Sequence, residues 1–340
     1  MAHPYQALLQ QQHGDILGLC CYAIENGQLN VLQWAEQQNP GVISYPIFCE
    51  TAAKHGNLHI LQYLRANGCI WDHRTCSLAA LNGHLHVLEW AHANGCPWDE
   101  WTCESAAQNG HLHILKWLRE RNCPWNGWTC AAAAEHEHMH VLQWAHKNGC
   151  PWDTKTTKMA AKSGNLSIMK WLRENNCPWD ESACRNAAIG HLDMLKYLRA
   201  NGCPWDNYVC SNAALNGQLQ ILQWARQNNC PWDENNVCNS AASNGHLHVL
   251  EWALNNGCKL NAKAIYKEAC QFNQYNVVKW LVQKKYIILT MEFQLYNLKS
   301  FEWIRDHEYK TLKAKIASVY DAMLHVLEVP DLVELIKIYL

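Results

Sequence analysis

The chain has 340 residues, 28 of them Lys or Arg and 30 Asp or Glu, for a formal net charge of −2. Without a Lys/Arg-rich block, this balance excludes the electrostatic footprint of a nucleic-acid binder; without a signal-like leader or an apolar run of membrane-spanning length, the chain is expected to be soluble, intracellular and cytoplasmic. Eighteen cysteines in a chain of this length point to reduced, buried thiols and not to the disulfide framework of a small secreted domain.

A polar, Gln-rich stretch, Met1–Gln12, opens the chain. A block then recurs, with Cys-Pro-Trp at Cys96-Pro97-Trp98, Cys123-Pro124-Trp125, Cys150-Pro151-Trp152, Cys177-Pro178-Trp179, Cys203-Pro204-Trp205 and Cys230-Pro231-Trp232, and decayed copies at Cys69-Ile70-Trp71 and Cys258-Lys259-Leu260. The spacing is 27 residues, except for one 26 and one 28. A fixed period of this size means one supersecondary unit per repeat, too small to bury its apolar face alone and stable only when stacked. Residues 1–309 are therefore expected to form one repeat array with its N-terminal cap, and 310–340 a C-terminal helical cap.

Residues 99–125 show what each unit should be. Asp99 is placed to cap a helix, as are Asp72, Asn126, Asp153, Asp180, Asp206 and Asp233 in the other copies. That helix runs through Cys103, Ala106 and Ala107 to Gly110, where a left-handed residue ends it. The Ala pair keeps its inner face thin, so that successive first helices approach closely. A second helix from His111 to about Arg121 carries Leu112, Ile114, Leu115, Trp117 and Leu118 on one stripe, with His111, His113, Lys116 and Arg119 outward. It should stop before Cys123, because the residue preceding a proline is pushed out of the helical region. Trp125 is expected to fill the groove between repeats. No segment alternates with period two, so no strands are predicted.

Asn94-Gly95-Cys96-Pro97-Trp98-Asp99, followed by Thr102-Cys103-Glu104-Ser105-Ala106-Ala107-Gln108-Asn109-Gly110-His111-Leu112, resembles an ankyrin repeat. The ankyrin pattern runs from a Gly-Ala-Asp loop through Thr-Pro-Leu-His and two alanines to Gly-His-Leu. The resemblance covers roughly residues 20 to 285 and implies a protein-binding role. Ankyrin repeats have about 33 residues; the roughly six missing here lie where the family builds its β-hairpin finger. Cys103 also replaces the family's proline. The expected fold is thus all-α, a solenoid of about ten stacked helix-turn-helix, ankyrin-like repeats lacking β-hairpin fingers. The Cys-Pro-Trp-Asp form is similar to the expanded ankyrin-type proteins of giant viruses of amoebae and some protists. That similarity implies a viral or protist interaction protein, in the host cytoplasm if viral.

Stacking sets equivalent residues about 10 Å apart, so columns of side chains matter more than local motifs. The candidate partner-binding face is Trp101, Glu104, Gln108, Trp128, Glu135, Lys158, Lys162, Arg185 and Tyr208, a mixture of aromatic and charged groups suited to interface hot spots. The competing role for the rings is packing over neighbouring loops. Histidine columns (His84, His111, His191, His246 and His59, His86, His113, His140, His248) beside thiols raise the question of zinc, but the cysteine spacing is not that of structural sites. These histidines are expected to face solvent and to confer mild pH sensitivity. No phosphate loop, nucleophile elbow or His-Glu-x-x-His occurs, and neither an enzyme nor a cofactor is expected. The tail from Leu324 to Leu340 faintly resembles the opening helix of an F-box, though a capping helix that covers the last repeat is the favoured account of it. Three roles follow: a scaffold for unidentified protein partners, a substrate adaptor recruiting a ubiquitin-ligase subunit, and a component of a virion or self-assembled particle. Neither nucleic acid nor membrane is expected as a partner, and a monomer is favoured.

Overall fold

The structure, a computed structural model, describes residues 4–12 and 14–287. The expected C-terminal cap (310–340) and the F-box-like stretch (324–340) lie outside the described residues. Among those described, a helix Pro4–Gln11 precedes ten helix pairs, and no strand is found. The pairs are Ile16–Glu25 with Leu29–Gln38, Pro46–Lys54 with Leu58–Ala66, His73–Leu81 with Leu85–Ala93, Glu100–Gln108 with Leu112–Glu120, and Gly127–Glu135 with Met139–Lys147. Thr154–Ser163 with Leu166–Glu174, Glu181–Ala187 with Leu192–Ala200, Asn207–Leu215 with Leu219–Gln227, Glu234–Ser243 with Leu247–Asn255, and Ala262–Gln271 with Tyr275–Gln283 complete them. The chain divides into two compact units, Met1–Val209 and Cys210–Leu340. Among the described residues each is built of helix pairs whose first helices pack on one another. The helical repeat expected from the 27-residue period is the fold.

Each first helix starts where a short polar side chain satisfies an otherwise unpaired N–H. Asp99 Oδ1 accepts from Trp101 N at 3.1 Å, Asn126 Oδ1 from Trp128 N at 2.9 Å, and Asp153 Oδ1 from Lys155 N at 2.8 Å. The inner face is fully buried: Thr102, Cys103, Ala106 and Ala107 in one copy, Thr129, Cys130, Ala133 and Ala134 in the next. The turn after the helix is left-handed at Gly110 (φ 73°), and Glu137 (φ 64°) and Asn273 (φ 57°) adopt the same conformation where glycine is replaced. Gly190 departs from the pattern, because its helix, Glu181–Ala187, ends early and His191 N bonds to Ala187 O at 2.9 Å.

The second helix buries Ile114, Leu115 and Leu118. Its end corrects the expectation that proline stops it. The stop is the residue before cysteine, left-handed at Asn122 (φ 59°), Gly95 (φ 80°) and Gly149 (φ 80°), with Cys123 N reaching back to Leu118 O at 3.0 Å. Pro124 lies beyond an end already made. The first pair lacks this loop, and a short 3-10 turn, Val42–Ser44, takes its place. There the Glu36 carboxylate accepts from Gly41 N at 2.7 Å and Ile43 N at 3.2 Å.

Trp125 is half-buried between consecutive pairs. Its ring lies under the Arg119 guanidinium, 4.2 Å from ring centroid to Cζ, and meets the edge of Trp144 in the next pair at 6.0 Å. Arg119 is therefore not free in solvent as expected, and its Nη1 also donates to the Cys123 carbonyl. Arg173 repeats the arrangement, at 3.8 Å over Trp179 and 2.6 Å to Cys177 O. In two pairs histidine replaces the arginine and stacks flat on the indole, His92 on Trp98 at 3.5 Å and His146 on Trp152 at 3.7 Å.

Candidate partner-binding face

With Thr102, Cys103, Ala106 and Ala107 turned inward, residues 101, 104 and 108 share the opposite side of their helix. The 27-residue period carries this register forward. The first column reads Trp101, Trp128, Lys155, Ser182 and Tyr208; the second Glu104, Ala131, Lys158 and Arg185; the third Gln108, Glu135 and Lys162. All nine residues predicted for this face thus occupy equivalent helical positions within the first unit. Trp101 is 59% exposed, Tyr208 52% and Trp128 38%.

Some of the nine are brought together. Lys162 Nζ lies 2.7 Å from Glu135 Oε1 of the preceding pair. Arg185 Nε donates to Asp206 Oδ2 at 2.9 Å, its Nη2 reaches Glu181 Oε1 at 3.3 Å, and its guanidinium carbon sits 4.9 Å from the Tyr208 ring centroid. Trp128 is covered on one side by Lys155, 5.3 Å from its centroid. Burial, followed by the charges of Glu100 and Glu135, pushes the Glu104 carboxyl above the usual carboxylate range. Sequence reasoning missed Glu100, Lys155 and Glu181 and treated Asp206 only as a cap; for Lys155, its register with Trp101 and Trp128 was the available signal.

The second histidine column (His59, His86, His113, His140, His248) is exposed as expected, and the first (His84, His111, His191, His246) is half-buried. Both are fastened to the preceding pair. His111 Nε2 donates to Leu81 O at 3.1 Å, His84 to Lys54 O at 3.1 Å, and His191 to Lys162 O at 2.9 Å. The second column does likewise, with His86 to Gly56 O and His140 to Gly110 O, both at 3.2 Å. Since a carbonyl only accepts, Nε2 carries the proton in each. Burial pushes the pKa values of His84, His111 and His138 below the ordinary histidine value. Among the described residues, no group of three or more His, Cys, Asp or Glu side chains is arranged to hold a metal ion. No helix among them is long and apolar enough to cross a membrane.

A family model described as ankyrin repeats (many copies) matches residues 76–119, which is two helix pairs less a few residues. No curated protein matches the chain. Among solved structures, the crystal structure of the human ASB11 ankyrin repeat domain is similar with a TM-score of 0.38 and 15% identity, covering 47% of this chain and 84% of that chain. A likeness at that level carries no argument about function.

Proposed function

We propose that the chain is a non-enzymatic, ankyrin-type scaffold that binds protein partners through the outer side of its first helices between Glu100 and Tyr208. The observation that supports this most is the exposure of Trp101 and Trp128, the two exposed tryptophans among the described residues. An indole left in water lowers solubility and gains nothing in stability, and it is the side chain most enriched at interface hot spots. Acidic Glu100 and Glu104 on one side and Lys155 and Lys158 on the other give the face a direction along which a partner's charges can be read. In this proposal residues 1–309 are the repeat body, 310–340 cap it, and the protein acts as a cytoplasmic monomer. The similarity of the Cys-Pro-Trp-Asp form to giant-virus and protist ankyrin-type proteins supports an origin there.

The test is affinity capture with the full chain and with Trp101→Ala/Trp128→Ala, followed by titration calorimetry of whatever the parent retains. A loss of about 100-fold or more, on the scale of a hot-spot pair, with unchanged helical content is expected. Equal affinity would remove this face from consideration. An adaptor role instead rests on the F-box-like stretch, and pull-downs with and without residues 318–340 separate it, since ligase subunits would be recovered only with the tail. A particle component would show as assemblies above monomer mass in light scattering.

A further inference from the structure

Most helix pairs place one cysteine on the first helix and a second about twenty residues later, in the loop after the second helix. In the fold the two thiols meet. Cys49 Sγ lies 3.1 Å from Cys69 Sγ, both fully buried. The repeat sets Cys76 with Cys96, Cys103 with Cys123, Cys130 with Cys150, Cys184 with Cys203, and Cys238 with Cys258 at the same two positions, and Cys76 Sγ and Cys103 Sγ lie 4.0 and 3.9 Å from the carbonyl oxygens of Cys96 and Cys123. Filling space does not demand this, because a small apolar residue at either position would fill it as well. The first and last described pairs carry only the first-helix cysteine, Cys20 and Cys270, and in a third Thr157 stands opposite Cys177, its hydroxyl donating to Pro178 O at 2.9 Å.

The geometry points to these six pairs as latent disulfides, each a modification site for a two-electron thiol oxidant such as a peroxide. Hydrogen peroxide converts one thiol to a sulfenic acid and releases water. The partner thiol then attacks that sulfur, forming the S–S bond and releasing a second water, so that two thiols and one peroxide give one disulfide and two waters. The sulfurs of Cys49 and Cys69 need to close by only about 1 Å to reach disulfide length. Burial and thiol-to-thiol pairing hold a proton on the pair, so attack waits on local opening of that helix pair. Each bridge joins a first helix to the loop of its own pair, leaving the stacking between pairs unlinked. The array then stiffens pair by pair under sustained oxidant and stays reduced through a brief exposure.

The experiment exposes the native full chain to hydrogen peroxide, alkylates the remaining thiols and maps the peptides. Cys21, partly exposed, serves as the clock for oxidant dose. Once Cys21 is modified and exposure continues, bridges are expected within the six named pairs, with Cys177 still alkylated and the thermal midpoint raised. In Cys103→Ser, Cys123 should become alkylated while the other five bridges form. Complete alkylation of the buried thiols after prolonged exposure would overturn the proposal, as would bridges between different helix pairs or between chains.

Discussion

The imidazole of His111 rests against Gly83 of the preceding helix pair: a β-carbon built on that glycine would meet the ring at 2.9 Å, while Nε2 donates to the Leu81 carbonyl at 3.1 Å. The same contact recurs at Gly56 with His84, Gly110 with His138, and Gly217 with His246. Glycine here answers to two demands at once, a left-handed φ and a neighbour's ring.

Those two demands can be measured apart. Gly95, with φ 80°, has nothing within 4 Å of a built β-carbon, whereas Gly83, with φ 82°, has the ring. Gly95→Ala should cost about 1–2 kcal/mol, the strain of a left-handed alanine. Gly83→Ala should cost more, and His111→Ala placed in the same chain should return the excess. Urea midpoints of the four variants settle it; equal costs at the two glycines would mean that the ring yields freely.

Acidification should loosen the array through the histidines. The folded-state pKa values of His84, His111 and His138 are depressed, chiefly by burial and then by neighbouring histidines, against a carbonyl hydrogen bond that raises them. The unfolded chain therefore binds more protons between the depressed values and about 6.5. Stability is complete above that upper value and falls as pH drops through the window. Changing all three to Gln, the residue at the equivalent position 274, should flatten the pH dependence of the urea midpoint between neutral and mildly acidic pH.

Buried hydroxyls give a stabilising prediction. Thr75, Thr129 and Thr156 are fully buried, with no hydrogen-bond partner for Oγ1, while Val209 and Val237 occupy the same column in later copies. Thr129→Val keeps the shape and removes an orphaned polar atom. A gain of about 1 kcal/mol is expected in chemical unfolding, from the desolvation no longer incurred. A loss would show that the hydroxyl has a partner in solution.

At Glu104, stability and binding should part company. Its raised carboxyl pKa means that the ionised form is disfavoured by folding, so its stabilising contribution is present below the ordinary carboxylate value and lost as pH rises through the raised one. Glu104→Gln should therefore raise the urea midpoint at neutral pH, by a few tenths of a kcal/mol for a partly exposed group, and leave it unchanged at acidic pH. The same substitution should weaken any partner that answers this charge. A variant less stable at neutral pH than the parent would contradict the assignment.

The residues that end and cap helices were legible in sequence because each acts within its own repeat: Asp99 on Trp101, Gly110 on its own turn. The bonds of the histidines were missed because a helical-period reading of one repeat cannot see a carbonyl some 30 residues earlier, such as Leu81 O for His111. One signal was present. At Glu137, where the turn lacks glycine, the residue facing it from the next pair is Asn165 in place of histidine, and Asn165 Nδ2 donates to Glu137 Oε2 at 2.9 Å. The candidate face followed from register alone, but its ion pairs did not, since Lys162 and Glu135 become neighbours only through stacking. The edge contact of Trp125 with Trp144 was hidden for the same reason, since Trp144 belongs to the following copy.

The links between pairs are all short in sequence: the bond from Asn57 Nδ2 to Ile24 O spans 33 residues, that from His111 to Leu81 O spans 30, and the Lys162–Glu135 hydrogen bond spans 27. Closing loops of one repeat carries nearly the same entropy cost wherever in a unit it happens, and adding repeats does not lengthen them. Refolding of either unit should consequently be fast and nearly independent of how many pairs follow, with growth able to begin at more than one position. Unfolding should fray by whole helix pairs, so that indoles in different copies report different midpoints in the same denaturant series.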